Sequence, residues 1–338
     1  MERVVISDTP HIRSPRTTKH IMLDVIIALL PACIMGCIYF GWKALLVLVL
    51  SVASAVLTEF VWKLCLKKNF KTILKEFDFT SIITGLLIGM CMSRDVALYV
   101  PVIASIFAIA IVKMLFGGTG KNIVNPAIVG RIFAFMSFTA VGGMATYSYT
   151  TASGEIISGA TVLTNILQSG LNDVDLLSMF LGTNMAGCIG ETCKLALLIG
   201  GIYLVVRKVI DIRWPLIYIV STGLTACALY HSMAYFMPSI LSGGLFLGAI
   251  FMATDYVTSP NNKYASYAYY LCLGVLTAVL RKATQMEVVS FAILIMNLLV
   301  PIFNKVLHPR PFGSTPIHVI IKQKLSKMFS KKEKKEEK

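Results

Sequence analysis

The sequence predicts an all-α integral membrane protein with about ten transmembrane helices in two inverted five-helix repeats. Of its 338 residues, 56% are hydrophobic and only 14% are charged, whereas about a quarter of the residues in a soluble domain are charged. The mean hydropathy is +0.75. Apolar stretches of about 17–25 residues, which are long enough to cross a hydrocarbon core, recur along the chain. These observations favour one membrane domain over several soluble domains.

The predicted helices fall into two groups of five that flank a long polar loop. The first group covers residues 21–41, 43–65, 79–92, 96–116 and 124–141. The second group covers residues 192–207, 213–230, 235–253, 265–281 and 288–306. Together they predict a membrane domain at 21–306 with a loop at 142–191. Residues 1–20 form an N-terminal segment, and residues 307–338 form a basic tail.

The positions of Lys and Arg predict the orientation of the chain. Ten crossings place both termini on one side, together with most of the basic side chains: Arg3, Arg13, Arg16, Lys19, Lys63, Lys67, Lys68, Lys71, Lys75, Lys121, Arg207, Lys208 and Arg213. Since cytoplasmic loops carry an excess of Lys and Arg, both termini are predicted to be cytoplasmic, in an inner membrane. Arg94, Arg281 and Lys282 are exceptions, because they fall on the opposite side.

The net charge of +14 follows from the same distribution and does not indicate a nucleic-acid partner. The end of the tail, 331–338, is predicted to be solvated and disordered, with binding to the anionic lipid of the bilayer as the alternative. The eight Cys residues form no CxxC pair, and the five His residues are scattered. Neither an iron–sulfur cluster nor another metal site is therefore predicted. Cys188 and Cys193 are interpreted as incidental neighbours rather than a disulfide.

The loop at 142–191 is predicted to be extracytoplasmic. It contains no Lys or Arg, but it carries four acidic residues: Glu155, Asp173, Asp175 and Glu191. Long ordered loops are usually functional. This loop is therefore predicted to carry a functional site.

An internal repeat relates the two halves. The segment from Ser81, with Asp95 downstream, is similar to the segment from Ser239, with Asp255 downstream. Inverted repeats with short, Gly-interrupted helices build binding sites near the membrane midplane. The alternative is chance similarity between Gly-containing helices that pack closely.

The loop contains the string Ser158-Gly159-Ala160-Thr161. Most strings of small residues are turns or helix starts, and Ser158 is a candidate N-cap. A second motif at 117–127 resembles a phosphate-binding loop. The match fails because Leu115 stands where a Gly is required and Asn122 replaces Ser or Thr after the Lys, so nucleotide hydrolysis is not predicted.

Two further motifs contain acidic residues. The motif at 252–260 places Asp255 at the end of a short repeat helix, where an ionisable residue is a functional-site candidate; a carboxylate that caps the next turn is the alternative. The motif at 187–192 places Glu191 before a helix, where its charge favours the positive helix end. Asp24, within the first helix, is another candidate for a buried charge.

Taken in chain order, the four motifs at 117–127, 158–161, 187–192 and 252–260 resemble those of one membrane family. The family contains the D subunit of the Rnf complex and the B subunit of the sodium-translocating NADH:quinone reductase. Residues 117–127 are similar to its GKNxxNPA stretch, 252–260 to ATDPVTSP with Tyr256 in place of Pro, and 187–192 to GxxGET. The segment 281–287 departs from the family's Gly-Gly-Tyr-Pro-type turn. The short N-terminal segment is more similar to the Rnf D subunit.

The resemblance implies a covalent flavin. The string Ser158-Gly159-Ala160-Thr161 is similar to the family's flavinylation motif, in which the final Thr is esterified to the phosphate of FMN by a dedicated flavin transferase. The implied FMN site is therefore Thr161, with Thr164 as the nearest competitor. The small neighbours would let the transferase approach, and amides near a helix start would favour the phosphate.

The resemblance also assigns roles to Asn122, Asn125 and Asp255. The two Asn residues are three apart, hence on one face if a helix starts there, and this face could contact a second, non-covalent flavin such as riboflavin. Asp255 could hold a flavin edge or help to conduct a cation. A structural Asn pair that holds helices together is the alternative.

The implied function is that of a membrane electron-transfer subunit. It belongs to a complex that couples ferredoxin:NAD+ electron transfer to Na+ or H+ translocation, with partner subunits that include a second flavin-bearing subunit on the outer face. No catalytic residue and no activity are expected of the isolated chain. The alternatives are a B subunit of the quinone reductase, a cofactor-free transporter or channel, and a structural scaffold.

Overall fold

The computed structural model describes residues 16–67, 69–139, 142–144, 146–150, 156–170 and 175–307. The predicted N-terminal segment before Arg16 and the basic tail after Leu307 lie outside the described residues. So do parts of the loop at 142–191 that include Glu155 and Asp173; we call this loop the outer loop, after its predicted position. The described part of the chain is mostly helical.

The helices of the first half are α1 (Thr18–Phe40), α2 (Trp42–Cys65), α3 (Phe70–Lys75), α4 (Thr80–Met90), α5 (Tyr99–Phe107) and α6 (Pro126–Phe138). A π-helix, Ala108–Met114, continues α5. The outer loop contains β1 (Ser148–Thr150), β2 (Ile156–Ser158), α7 (Val162–Ser169) and α8 (Leu176–Leu181).

The helices of the second half are α9 (Lys194–Val206), α10 (Arg213–Tyr230), α11 (Phe236–Leu241), α12 (Leu245–Leu247), α13 (Lys263–Thr284) and α14 (Val289–Val306). A 3-10 turn, Met233–Tyr235, precedes α11. A π-helix, Gly248–Met252, follows α12.

Several of these helices suit a membrane. By length and composition α1, α2 and α14 can each cross it, and the bent pair Met233–Leu241 and Leu245–Met252 would be a fourth crossing. Large apolar side chains on α1, such as Ile34 and Ile38, are more than half exposed, as expected of a surface that faces lipid. The described part of the chain therefore has the character of a multi-pass membrane protein.

The outer loop departs from the all-α prediction. Strands β1 and β2 pair antiparallel, with Tyr149 opposite Ile157. This hairpin could not be predicted from the sequence, because three-residue strands are too short for a clear alternation of apolar and polar residues. The hairpin leads directly into α7.

The helix predicted at 235–253 is broken. The pair of segments bends by 70° at residues 242–244, where Gly243 has φ +62°. Arg281 on α13 donates hydrogen bonds to the carbonyl oxygens of Ser239 (2.9 Å) and Ser242 (3.2 Å). These bonds satisfy carbonyl groups at the end of α11 that a continuous helix would satisfy internally. Hydropathy alone could not reveal the break, because the flanking residues are apolar on both sides.

The two halves meet along two helix pairs, α1 with α9 and α6 with α14. The first pair is close, since a Cβ atom on Gly200 would collide with the carbonyl oxygen of Ala28. The buried carboxylate of Asp24 accepts hydrogen bonds from Tyr203 Oη (3.0 Å) and Arg207 Nε (3.2 Å). Asp24 therefore ties α1 to α9.

Candidate functional site

A cavity of about 360 Å³ lies between α6, α14 and the outer loop. We call it the outer cavity. Its apolar wall is formed by Ile132, Phe135, Met144 and Phe291. Its polar wall includes Arg131, Tyr147, Thr161, Thr164, Glu191, Gln285, Glu287 and Ser290. A cavity of this size and mixed lining is typical of a small-molecule or cofactor site.

The string at 158–161 lies at the edge of the outer cavity. Gly159, Ala160 and Thr161 line it, whereas Ser158 ends β2 and is not part of the lining. The backbone N–H of Gly159 donates to the carbonyl of Tyr147 at 3.0 Å, which fixes the string beside β1. Thr161 is half-buried, and its three predecessors are exposed.

The N-cap of α7 is Thr161 rather than Ser158, so the prediction for Ser158 was wrong. Thr161 Oγ1 accepts a hydrogen bond from the backbone N–H of Thr164 at 3.3 Å, and the two hydroxyl oxygens are 2.7 Å apart. The helix begins three residues later than predicted because the pairing of β2 extends through Ser158. The hydroxyls of Thr161 and Thr164, the two candidate attachment sites, therefore lie side by side.

Two acidic residues lie against the two glycines of the helix break. A Cβ atom on Gly243 would collide with Glu287 Oε2, and one on Gly244 would collide with Glu191 Oε2. A side chain at either position would displace a carboxylate, and Gly243 also adopts positive φ. The break, Glu191 and Glu287 form one packed unit on the wall of the outer cavity.

Glu191 does not cap α9 through its side chain. Its Oε1 accepts a hydrogen bond from the backbone N–H of Cys188 at 3.2 Å. Its Oε2 is buried and has no hydrogen-bond partner among the described residues. The buried Lys194 donates to the backbone carbonyl of Glu191 at 2.7 Å. Cys188 and Cys193 are buried free cysteines.

The segment 281–287 has a place at the site, although its sequence departs from the family pattern. Arg281 is buried and pairs with Glu287 at 3.0 Å. Thr284, Gln285, Met286 and Glu287 line the outer cavity. The burial of Arg281 explains one exception to the predicted charge distribution, while Lys282 is exposed.

Asn122, Asn125 and Asp255 line a second cavity of about 90 Å³, which we call the inner cavity. Its other polar lining residues are Thr80, Thr84, Lys113 and Thr119. The structure thus brings together the three residues that the resemblance grouped. Helix α6 begins at Pro126 with Asn125 as its N-cap, so the condition under which the two Asn residues would share a helix face is not met.

Each of these three side chains has a local partner. Asn125 caps α6 by accepting from the N–H of Ala127 (3.0 Å) and donates to the carbonyl of Met252 (3.2 Å). Asn122 donates to the carbonyl of Val124 at 3.1 Å. Asp255 accepts a hydrogen bond from Thr258 Oγ1 at 3.1 Å. Asn125 therefore has the structural role that the sequence offered as the alternative.

A buried cluster of charges adjoins the inner cavity. Lys113 Nζ lies 2.7 Å from Glu59 Oε2, 2.5 Å from Thr80 Oγ1 and 3.2 Å from Ser81 Oγ. Glu59 also accepts a hydrogen bond from Ser81 Oγ and pairs with Lys63 at 2.5 Å. Glu59 and Lys113 are only 2% and 3% exposed. The cluster joins α2, α4 and the π-helix that follows α5.

Asp78 precedes α4 beside this cluster. Burial alone would raise the pKa of its carboxyl, but hydrogen bonds from the Thr119 and Thr80 hydroxyls outweigh that effect and lower the pKa. The positive charge of Lys113 acts in the same direction. Asp78 is therefore a fixed negative charge at this edge of the inner cavity.

The sequence contained a signal for residues that we did not single out. Lys113 is the only charged residue in the predicted span 96–116, and Arg131 is the only one in 124–141. A lone ionisable residue in an apolar span is a functional-site candidate. The pairing of Lys113 with Glu59 and the exposure of Arg131 to a cavity depend on tertiary contacts.

Comparison with known proteins decides the family. A family model described as NQR2, RnfD, RnfE matches residues 5–313. The chain belongs to the NQR2, RnfD, RnfE family. The resemblance inferred from the four motifs is confirmed, including its likeness to the Rnf member of the family.

Curated relatives of this family cover most of the chain. The D subunit of the Na(+)-translocating ferredoxin:NAD(+) oxidoreductase complex of Acetobacterium woodii is 36% identical over 318 residues, or 93% of this chain and 96% of the relative. The D subunit of the proton-translocating ferredoxin:NAD(+) oxidoreductase complex of Clostridium ljungdahlii is 36% identical over 325 residues, or 91% and 96%. The D subunit of the ion-translocating oxidoreductase complex of Stutzerimonas stutzeri is 32% identical over 333 residues, or 88% and 92%.

Proposed function

We propose that this chain is a membrane electron-transfer subunit of an ion-translocating ferredoxin:NAD+ oxidoreductase complex, with FMN in phosphodiester linkage to Thr161. The observation that carries the proposal is the position of Thr161 on the wall of a cavity of about 360 Å³. The names of the relatives support the complex. Two relatives of equal identity are named for different coupling ions, Na+ and H+. The proposed coupling ion is therefore Na+ or H+.

The residues around Thr161 fit FMN. Phe135 and Phe291 offer an apolar wall for the flavin ring, and Arg131 offers a positive charge. The first turn of α7 presents backbone N–H groups that favour a phosphate. An ester at Thr161 removes its hydroxyl hydrogen, so in the pair with Thr164, 2.7 Å away, only the Thr164 hydroxyl could donate. Bound FMN would supply one- and two-electron transfer, while the protein fixes its position.

The approach to Thr161 is open on the outer side. Ser158, Gly159 and Ala160 are exposed, and a Cβ atom on Gly159 would meet nothing within 4 Å. This supports access for a flavin transferase. The same surface is where a second flavin-bearing subunit would exchange electrons with the FMN.

The inner cavity is assigned to the coupling cation. Asn122, Asn125 and Asp255 supply oxygen atoms of the kind that hold Na+, and the carboxyl of Asp255 could also take up and release H+. The volume of about 90 Å³ is below the usual range of about 300–1,000 Å³ for ligand pockets. A second, non-covalent flavin such as riboflavin would therefore require this cavity to widen.

We also propose ten crossings in two inverted repeats, with both termini on the cytoplasmic side. An equivalent contact within each half supports this arrangement. Lys113 beside α4 bonds Ser81, and Arg281 beside α11 bonds the carbonyl of Ser239; Ser81 and Ser239 are equivalent in the sequence repeat. In inverted repeats these two cations would lie on opposite faces of the membrane.

The orientation predicts the labelling of single cysteines in intact cells. With the exposed Cys65 and Cys272 replaced by Ser, Asn165→Cys on α7 should react with a membrane-impermeant maleimide. Lys71→Cys on α3 should react only after the membrane is permeabilised. Both positions are exposed. Labelling of Lys71→Cys alone in intact cells would reverse the proposed orientation.

The role of the flavin is tested in the assembled complex. Thr161→Ala should abolish ferredoxin-dependent NAD+ reduction and ion transport together, because electrons would have no path through this subunit. Thr164→Ala, which removes the neighbouring hydroxyl, is the matched control and should retain both activities. Loss of electron transfer with full ion pumping in Thr161→Ala would contradict coupling through this chain.

Three other functions are distinct from this proposal. The family also contains NQR2, which favours a B subunit of the sodium-translocating NADH:quinone reductase as the second candidate; quinone-dependent NADH oxidation by the native complex would support it. A cofactor-free transporter or channel predicts solute flux by the chain alone and no bound flavin. A scaffold predicts that Thr161→Ala leaves the complex fully active.

A further inference from the structure

Arg131 is an unusual charge for the middle of α6. It lies five residues after the start of the helix and lines the outer cavity. Its Nη1 donates to Ser290 Oγ on α14 at 2.9 Å. This bond links the two helices that meet between the halves of the protein and holds the guanidinium at the cavity wall.

Arg131 takes part in none of the ion pairs formed within the described ranges. The acidic residues that face it are Glu191 and Glu287, which share the cavity wall. Glu287 is paired with Arg281 at 3.0 Å. Glu191 lies beside Lys194 and is bonded to the N–H of Cys188.

A guanidinium inside a membrane protein is costly unless an anion compensates it. Glu287 is paired with Arg281. No ion pair joins Glu191 to Arg131 among the described residues, although both line the outer cavity. The free side of Arg131 faces a cavity large enough for a cofactor. Glu191 and Glu287 therefore balance Arg131 only from a distance, and an anion that enters this cavity would be a direct partner for its guanidinium.

We propose that Arg131 is a positioning residue that holds the anionic edge of a reduced flavin ring in the outer cavity. This inference rests on the proposed attachment of FMN to Thr161, which lines the same cavity. Two electrons and one proton convert the neutral oxidised ring into an anion. A fixed cation beside that ring favours the anionic form, and hence raises the reduction potential.

The test is a redox titration of the covalent FMN in the full chain, coexpressed with a flavin transferase and reduced stepwise with dithionite. Arg131→Gln should lower the midpoint potential, because the reduced ring loses its cation. We expect at least a tenfold fall in the equilibrium constant for reduction, which is about 30 mV for a two-electron couple.

Three further variants complete the test, and the first of them makes it independent of the folding of Arg131→Gln. Gln285→Lys adds a cation to the wall of the same cavity and should raise the midpoint. Lys282→Gln removes an exposed cation three residues away, outside the cavity lining, and should leave the midpoint unchanged. Arg131→Lys, which keeps the charge but loses the planar fork, should restore most of the wild-type value.

The outcomes separate the inference from the proposed function. A wild-type chain without covalent FMN would contradict the attachment to Thr161. Fully flavinylated Arg131→Gln with the wild-type midpoint would overturn the role of Arg131 and leave the attachment standing. If Arg131→Gln does not fold, an unchanged midpoint in Gln285→Lys overturns the inference in the same way.

Discussion

Glu59→Gln is expected to destabilise the protein by about 3–5 kcal/mol, the cost of leaving a buried charge without its partner. The carboxylate of Glu59 lies 2.7 Å from Lys113 and 2.5 Å from Lys63, and it is 2% exposed. Its loss would leave two ammonium groups close together, with only the hydroxyls of Thr80 and Ser81 to accept from Lys113. Chemical or thermal unfolding in detergent would measure the change.

Two other variants distinguish the effect of breaking the buried ion pair from the general effect of removing a charge. Glu59→Leu combined with Lys113→Met removes both charges and should recover most of the lost stability, since apolar replacements of buried pairs are often neutral or stabilising. Asp211→Asn breaks the pair with Arg213, which is well exposed, and should leave stability nearly unchanged because solvent screens such a pair. Equal stability of Glu59→Gln and Asp211→Asn would contradict the buried cluster.

Arg281→Met is expected to cost a similar amount, about 3–5 kcal/mol, and to disorder the helix break. Arg281 is 4% exposed, pairs with Glu287 and donates to the carbonyls of Ser239 and Ser242. The variant would leave a largely buried carboxylate unpaired and the Ser242 carbonyl without its donor, the latter at a cost of about 1–3 kcal/mol. The Ser239 carbonyl would keep the hydrogen bond from Ser242 Oγ at 3.3 Å.

The neighbouring residue supplies the control for this prediction. Lys282 is exposed, donates to the carbonyl of Leu229 and lies 5.2 Å from the ring of Tyr230, so Lys282→Met should cost about 1 kcal/mol or less. Arg281→Lys should fall between the two variants, because one ammonium cannot reproduce the guanidinium fork. A melting temperature of Arg281→Met equal to that of Lys282→Met would show that Arg281 does not hold the break.

Hydropathy located the long apolar helices but not the short helices α3, α7 and α8. The segment predicted at 213–230 coincides with α10, Arg213–Tyr230, and the segment predicted at 21–41 is Thr18–Phe40. The ends agree because Gly and polar residues mark them in the sequence. The break at 242–244 was missed because it depends on hydrogen bonds from Arg281, 39 residues away from Ser242.

The candidate site, like the fold, could be predicted from the sequence only in part. The motif at 158–161 identified a threonine that the structure places at a cavity, and the grouping of Asn122, Asn125 and Asp255 corresponds to one inner cavity. Arg131 was not singled out, because its significance depends on which charges remain unpaired after folding. A search for lone ionisable residues in apolar spans would have found both Arg131 and Lys113.

The central claim is the covalent attachment of FMN to Thr161, and intact-protein mass spectrometry after coexpression with a flavin transferase tests it most directly. The wild type and Thr164→Ala should each gain the mass of one FMN less one water. Thr161→Ala should gain nothing, although α7 loses an N-cap worth about 1 kcal/mol and the chain should still fold. An unmodified wild type, or a modified Thr161→Ala, would contradict the assignment.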